Sequence, residues 1–300
     1  MLDVHRLRLL RALSRNGTIA ATARECSLTP SAVSQQLSQL QRDVGTPLLV
    51  RDGRRLMLTQ AATVLVEHTE QVLAALERAR AAVADLDSSV TGVLRLAAFP
   101  TAARALVPGA IAHCRESHPD LRIQLTEQST PEAITALTAG HVDVALIYEY
   151  NLLPAVRDPG VETTVLVREP LLAALPPSLP VPDRQLALNA LADQPWIAAH
   201  SDDDLRDMLD RACGLAGYVP RLDFTSSDYT VIFALVQAGL GVSLVPRLAL
   251  TSTSADVQFR EVVHPELTRT VSVAVRAGSR RHPPTAALID ALTTTAAALE

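Results

Sequence analysis

The 300-residue sequence contains no lysine, so all 27 of its basic residues are arginine. We attribute this to the codon usage of a GC-rich genome and draw no functional conclusion from it. Cysteine is scarce as well, because Cys26, Cys114 and Cys213 are its only examples and lie far apart. An odd number of widely spaced cysteines favours reduced thiols over a disulfide framework.

Long apolar runs are also absent. No uninterrupted run reaches the roughly 20 residues that a membrane-spanning helix needs, and the N-terminal segment MLDVHRLRLLRALSRNG lacks the apolar core of a signal peptide. We therefore expect a cytoplasmic protein without a membrane partner. A hydrophobic content of 48% over this length predicts two or three globular domains.

The motifs of common hydrolases and metalloenzymes are missing too. The sequence has no GxSxG, HExxH or paired CxxC pattern, and each of these supplies the nucleophile or metal ligands of a well-known class of enzyme. We expect no catalytic activity, no metal and no cofactor.

Charge is divided unevenly along the chain. Residues 1–60 hold nine arginines and four acidic residues, a net charge of +5, whereas the remainder carries −10. A basic segment attached to an acidic body favours a phosphate backbone as the partner of that segment alone. The N-terminal sixty residues are therefore expected to bind double-stranded DNA.

The segment LTPSAVSQQLSQLQRDVG predicts a helix with a well-marked start and end. Thr29 suits the N-cap, Pro30 the first helical position and Gly45 the left-handed end of the helix. The spacing of the apolar residues predicts a buried stripe of Val33, Leu37 and Leu40. The opposite face carries short hydroxyls and an amide, which hydrogen-bond without a fixed charge and suit the reading of base edges.

Shorter elements on either side complete a recognisable unit. Helices are predicted over 4–13 and 19–26, the second capped by Thr18, so that residues 18–37 form a helix-turn-helix. Two β-prone runs, 48–51 and 55–58, surround Asp52-Gly53 and predict a hairpin. The candidate DNA-binding residues are Thr29, Pro30, Ser31, Ser34, Gln35, Ser38, Arg51, Arg54 and Arg55.

Residues 60–87 contain neither glycine nor proline and predict one long helix. Its apolar positions alternate in steps of three and four, which is a heptad seam. The seam consists of Ala62, Leu65, Thr69, Val72, Leu76, Ala79, Val83 and Leu86. We expect Leu65, Val72, Leu76, Val83 and Leu86 to pair with a second copy of the chain; the alternative is that this helix packs on the C-terminal domain of its own chain.

The last two hundred residues alternate strands and helices, which predicts an α/β fold with parallel strands. A first βαβαβ unit is followed by a second, and the final strand and helix return to the first. The expected divisions are 1–59 for the DNA-binding domain, 60–89 for the linker helix, 90–165 plus 266–300 for lobe I, and 166–265 for lobe II. The chain would cross between the lobes near residues 165–168 and 263–267.

Four strand-to-helix corners carry hydroxyl groups at the edge where ligands collect in α/β sheets. The candidate ligand-binding residues are Phe99, Pro100, Thr101, Gln128, Ser129, Thr130, Tyr148, His200, Ser201, Thr225, Ser226 and Asp228. For any single corner the alternative is plain N-capping. Because a helix N-terminus favours an anion, we expect a small molecule that bears a carboxylate.

Acidic residues accompany two of these corners. Asp202, Asp203 and Asp204 follow the expected cap Ser201, and Asp228 accompanies the corner at Thr225 and Ser226. A helix dipole alone accounts for acidic residues in a first turn. If some of them face the cleft, they favour a zwitterionic or amine-bearing ligand over a dicarboxylate. Thr101 and Ser129 would then hold its carboxylate.

Residues 17–59 resemble the winged helix-turn-helix of the LysR-type transcriptional regulators nearly position for position. The resemblance is carried by Ala21 and Ala23, by Ala32-Val33-Ser34, by Gly45, Pro47 and Leu48, and by Arg51, Arg54 and Thr59. The sequence departs from the family pattern at Pro30, Gln41, Leu49 and Ala62. Pro30 removes one possible base contact, so the target sequence does not carry over.

This resemblance implies a ligand-responsive transcriptional regulator. Its fold would be an N-terminal all-α winged helix-turn-helix, a long antiparallel dimerisation helix, and a two-lobed α/β effector domain similar to periplasmic binding proteins. The partners implied are DNA, a small-molecule effector, a second copy in a dimer or tetramer, and RNA polymerase. The alternatives are an architectural or replication-control DNA-binding protein, and a solute-binding protein or enzyme.

Overall fold

The computed structural model describes residues 2–52, 55–86, 89–155, 157–181, 185–201, 203–252 and 256–299, with the backbone alone for 51, 52, 55, 251 and 252. No helix within these ranges is long and apolar enough to span a bilayer.

The N-terminal unit packs three helices and a hairpin around one small core. Its elements are α1 (Val4–Asn16), α2 (Ile19–Glu25), α3 (Pro30–Val44), β1 (Leu49–Asp52) and β2 (Arg55–Leu58). Thr18 accepts a hydrogen bond from the Ala21 N–H and so caps α2 as predicted. Leu10, Val33 and Leu40 are fully buried in this core, which holds α3 against α1 and α2.

Helix α4 (Gln60–Asp85) begins at the Thr59 cap and ends two residues before the predicted end. Only the first part of the predicted seam is covered by the chain itself, since Ala62 and Thr69 are buried. All five later seam residues are exposed: Val72, Leu76, Ala79, Val83 and Leu86. Glu70, which the heptad pattern places off the seam, is buried, because that face of α4 packs on its own chain.

The first lobe of the C-terminal domain contains the expected parallel unit. It comprises β3 (Gly92–Ala98), α5 (Pro100–Ala105), α6 (Val107–Ser117), β4 (Leu121–Glu127), α7 (Thr130–Ala139) and β5 (Val144–Tyr150). Strand β3 pairs in parallel with both β4 and β5. Helices α5 and α6 are separated at Leu106, because Pro108 lacks an N–H and restricts the residue before it.

The second lobe contains four regular elements that the sequence did not predict. It comprises β6 (Val161–Leu175), β7 (Gln185–Ala187), a 3₁₀ helix (Leu188–Leu191), β8 (Pro195–Ala198), α8 (Asp204–Leu215), β9 (Arg221–Thr225), α9 (Tyr229–Gln237), β10 (Ser243–Pro246), a second 3₁₀ helix (Arg247–Ser252) and β11 (Gln258–His264). The unpredicted elements are β7 and the two 3₁₀ helices. Strand β11 also went unpredicted as a separate element, since its sequence lacks a regular apolar alternation.

The chain returns to the first lobe through β12 (Thr268–Arg276) and α10 (Pro283–Ala297), as predicted. Strand β12 pairs antiparallel with β5, and α10 packs on α6. Strand β6 joins both lobes, because it pairs with β12 as far as Pro170 and with β10 and β11 from Leu171 onward. This change of partner follows the predicted crossing at 165–168 by a few residues and places a cleft between the two lobes.

Candidate functional site

Helix α3 has the predicted start, end and buried stripe. The Thr29 hydroxyl accepts a hydrogen bond from the Ala32 N–H at 3.2 Å, and Pro30 occupies the first helical position. Gly45 adopts a left-handed conformation with φ +77°, which glycine tolerates without strain. Val33, Leu37 and Leu40 are buried, so the remaining face must point away from the core.

The outward face of α3 presents polar groups to solvent. All six predicted residues on it are exposed: Thr29, Pro30, Ser31, Ser34, Gln35 and Ser38. The Ser38 hydroxyl donates to the Ser34 carbonyl at 2.8 Å, so it is already engaged. The side chains of Ser34 and Gln35 have no hydrogen-bond partner in the part of the chain that the structure describes. These two groups are available to a ligand of the helix.

The predicted hairpin after α3 is present. Its strands β1 and β2 pair antiparallel, with Leu49 opposite Leu58 and Asp52 opposite Arg55. Gly53 lies outside the described residues, so the position of the turn stays a prediction. Arg54 and the side chains of Arg51 and Arg55 lie outside the described residues, and their DNA contacts stay a prediction.

A cavity of about 300 Å³ lies between the two lobes. Six of the predicted ligand-binding residues line it: Phe99, Pro100, Thr101, Gln128, Ser129 and Tyr148. All six come from the first lobe. Five lie where β3 leads into α5 and β4 leads into α7, and Tyr148 lies on β5. The carboxyl ends of parallel neighbours meet at one sheet edge, which is why the sequence could identify these residues together.

The other six predicted residues do not line this cavity. The Thr130 side chain is buried and accepts a hydrogen bond from the Tyr148 N–H at 3.2 Å. The remaining five are His200, Ser201, Thr225, Ser226 and Asp228. The predicted cap at Ser201 is wrong, because Asp203 caps α8 by accepting from the Leu205 N–H. Asp228 caps α9 in the same way, by accepting from the Thr230 N–H.

The second lobe and β12 supply further cavity residues. Asp203 and Ser227 belong to corners that the sequence analysis considered, whereas Tyr229 and Arg269 were not predicted, and neither were Glu127, Glu132 and Tyr150 of the first lobe. Most follow or precede a predicted corner by one to three residues. Arg269 is the exception. Its position in β12 indicates burial, because it lies on the same face of the strand as Val271, Val273 and Val275, which are buried.

Arg269 lies between the lobes with only 2% of its surface exposed. Its Nη2 lies 2.5 Å from Glu169 Oε1 and donates to the Thr101 hydroxyl at 3.1 Å. The guanidinium carbon also stands 5.2 Å from the centre of the Phe99 ring. Burial opposes the charge of Arg269, but the carboxylate of Glu169 outweighs it and keeps the pKa of Arg269 above its ordinary value.

Three carboxylates surround the rest of the cavity. Ser129 donates its N–H and its hydroxyl to Glu132, and these bonds lower the pKa of that carboxyl. The Ser227 hydroxyl donates to Asp203 Oδ2 at 3.2 Å. The third carboxylate belongs to Glu127, which is exposed. Glu132 thus lies in the first turn of α7, and Asp203 caps α8.

No group of three or more His, Cys, Asp or Glu side chains suited to a metal ion occurs within the described ranges.

A helix-turn-helix with a free polar face, joined to a two-lobed α/β cleft, is the architecture of a ligand-responsive DNA-binding regulator. The chain belongs to the LysR family. Residues 4–63 match the bacterial regulatory helix-turn-helix of the lysR family, and residues 87–297 match the LysR substrate binding domain. It is therefore a LysR-type, ligand-responsive transcriptional regulator.

Relatives over nearly the whole chain agree with this assignment. A probable hydrogen peroxide-inducible genes activator of Mycobacterium avium is 29% identical over 92% of this chain and 88% of its own length. The transcriptional regulator IlvY of Escherichia coli is 25% identical over 87% and 88%. Such relatives are transcriptional regulators, which favours the regulator over the two alternative classes weighed from the sequence.

Solved structures show the same fold. Hydrogen peroxide-bound Corynebacterium glutamicum OxyR, a cysteine variant, matches with a TM-score of 0.61 at 24% identity, covering 100% of this chain and 95% of that one. Full-length BenM matches with 0.61 at 21% identity over 99% and 97%. CbnR in complex with its target DNA matches with 0.56 at 23% identity over 98% and 100%.

Proposed function

We propose that α3 reads DNA through Ser34 and Gln35, with Thr29, Pro30, Ser31 and Ser38 close to the same groove. The observation that carries this proposal is the pair of exposed, unpartnered side chains opposite a fully buried stripe. A glutamine offers both a donor and an acceptor to one base, which suits adenine in the major groove. Arg51, Arg54 and Arg55 of the hairpin would contact phosphates or the minor groove.

Selection of binding sites from a random duplex library tests this reading role. The full chain should select one half-site repeated with two-fold symmetry, since a dimer presents two copies of α3. Gln35→Ala should weaken binding to the selected duplex by about 1–3 kcal/mol and relax the preference at one base pair. Gln39→Ala, a partly buried position on the same helix, serves as the control. If Gln35→Ala weakens binding to scrambled DNA equally, the reading role is wrong.

The division into domains follows the predicted boundaries in this proposal. Residues 1–59 bind DNA, 60–89 link and dimerise, 90–165 with 266–300 form lobe I, and 166–265 form lobe II. The exposed apolar residues of α4 support a homodimer that places two reading helices on one duplex, and two such dimers would form a tetramer.

RNA polymerase is the partner through which a bound regulator would act, and transcription in vitro with purified polymerase tests that contact.

The cleft is the proposed effector site, and Arg269 is the proposed partner of an effector carboxylate. Of the five N–H donors of a guanidinium, those on Nε and Nη2 serve Glu169 and Thr101. For Nη1 no acceptor is found among the described residues, and Arg269 lines the cavity. A carboxylate in the cleft would therefore find one charged donor already held in place.

A response to peroxide, which the names of some relatives carry, is not what this chain's cysteines favour. Thiolate is the form that reacts with oxidants, and burial raises the pKa of the Cys213 thiol to about 11. Burial likewise raises the pKa of Cys114, and burial with Glu25 raises that of Cys26. A bound small molecule is therefore the signal we propose for this regulator.

A further inference from the structure

The effector cavity holds more negative than positive charge. Glu127, Glu132 and Asp203 line it, whereas Arg269 is its only cationic side chain among the described residues. Because Arg269 is already paired with Glu169, its charge does little to offset the three carboxylates. A doubly charged anion would enter this space against net repulsion.

One polar group in the cavity wall is buried without a hydrogen-bond partner among the described residues. It is the side-chain oxygen of Gln128. Since a buried polar group without a partner costs free energy, such groups usually meet a ligand or water. An amide oxygen only accepts, so the ligand that satisfies Gln128 must donate.

The walls are also unusually aromatic for this chain. Four of its nine aromatic residues line the one cavity: Phe99, Tyr148, Tyr150 and Tyr229. The rings of Phe99 and Tyr148 lie 4.8 Å apart, and those of Tyr148 and Tyr150 lie 5.4 Å apart. Burial, together with Asp203, raises the pKa of the tyrosines, so they remain neutral phenols. Neutral ring faces attract an ammonium group within about 6 Å.

We infer that the effector carries a protonated amine, bound by the carboxylates of Glu127, Glu132 and Asp203 and by the tyrosine rings. This inference rests on the proposed effector cleft, in which Arg269 takes the carboxylate, and it makes the ligand a small zwitterion such as an amino acid. Thr101 and Ser129, the residues first expected to hold that carboxylate, are engaged with Arg269 and Glu132. A dicarboxylate is disfavoured.

Thermal shift of the full chain tests this inference with three matched sets of probes. The first set contains amino acids. The second contains the corresponding amines, which lack the carboxylate, and the third contains the corresponding acids, which lack the amine. A ligand that binds only the folded protein raises the melting temperature by mass action. We expect at least one amino acid to stabilise the protein, its amine to do so more weakly, and its acid to have no effect.

Glu127→Gln provides the variant, because Glu127 is exposed and caps no helix. Its affinity for the stabilising amino acid should fall about twofold to fivefold, as expected for a partly solvated ion pair. Glu116→Gln, an exposed change on α6, should leave affinity unchanged. If acids raise the melting temperature while no amino acid or amine does, the inferred amine is wrong but the proposed effector cleft stands. If none of the three sets raises the melting temperature, both the amine and the effector cleft are wrong.

Discussion

Arg269 and Glu169 are each almost fully buried, and each supplies the opposite charge that the other needs. The second oxygen of Glu169 accepts from the Leu248 N–H at 2.6 Å, so this pair also fixes the backbone of the second lobe. A buried charge that loses its partner is far more costly than a buried pair that is removed whole.

Glu169→Met alone or Arg269→Met alone should therefore destabilise the protein by about 3–5 kcal/mol, whereas the two changes combined should cost less than either single change. Denaturant unfolding of the four proteins in this cycle measures both effects. Asp210→Asn, which breaks the half-exposed pair with Arg206, should cost below about 0.5 kcal/mol. Additive losses from the two single changes would show that the pair is not coupled.

For single residues, the sequence predicted burial where the apolar residues repeat with the period of a helix. Val33, Leu37 and Leu40 recur with the helical period and are buried together. The pairing of Arg269 with Glu169 joins residues a hundred positions apart, and no local spacing reports it. Only the alternation of residues along β12, which places Arg269 on the same face as the buried valines, indicated that this arginine is buried.

Helix α4 carries apolar residues on a face that a single chain leaves open. Val72 and Leu76 are 40% and 45% exposed, and Val83 is 69% exposed. Residues at steps of three and four share one side of a helix, so these side chains form a continuous stripe. A stripe of this kind is stable when a second helix covers it.

Leu76→Glu places a charge at the centre of this stripe. Burying that charge at a dry interface is costly, so sedimentation should show a monomer at concentrations where the unmodified chain is a dimer. Binding to a two-fold symmetric duplex should fall with it. Gln71→Glu adds the same charge at an exposed position off the stripe and should leave the dimer intact. An unchanged dimer in Leu76→Glu would refute the assignment of this face.

Elements were predicted well where caps and periodicity agree, as for α3. The second lobe was predicted less well, because β7 has only three residues and forms through pairing with β11. The first part of the heptad seam was misassigned because of a similar tertiary effect. Ala62 and Thr69 satisfy the heptad rule, but tertiary packing within the chain covers them first.

On the scale of the whole molecule, a cluster around Glu70 joins all three parts of the chain. Arg11 and Arg15 of α1 donate to Glu70 of α4 at 3.3 and 3.2 Å. Arg15 also donates to Asp158 of lobe I at 2.8 Å, and Arg11 donates to the Thr138 carbonyl at 2.6 Å. These contacts join residues up to 143 positions apart, so no sequence pattern could predict them.

Close backbone approach at the cluster supports a fixed arrangement. The Gly160 N–H donates to Asp158, and a Cβ added at Gly160 would lie 2.5 Å from Glu70 Oε2. Gly278 meets the same helix farther along, where an added Cβ would lie 2.3 Å from the Ala74 carbonyl oxygen. Lobe I thus rests on α4 at two glycines, and the DNA-binding unit rests on lobe I through Arg11 and Arg15.

Glu70→Gln should loosen the DNA-binding unit from lobe I, because it leaves two arginines beside a neutral amide. Losing the carboxylate of a buried pair costs on the order of 3 kcal/mol. Amide hydrogen exchange should accelerate in α1 and in the loop around Asp158, while β12 keeps its protection, since local openings report local stability. Glu67→Gln is the matched control, one turn away on the same helix and exposed. Equal exchange in α1 of both variants would mean that the cluster does not hold these parts together.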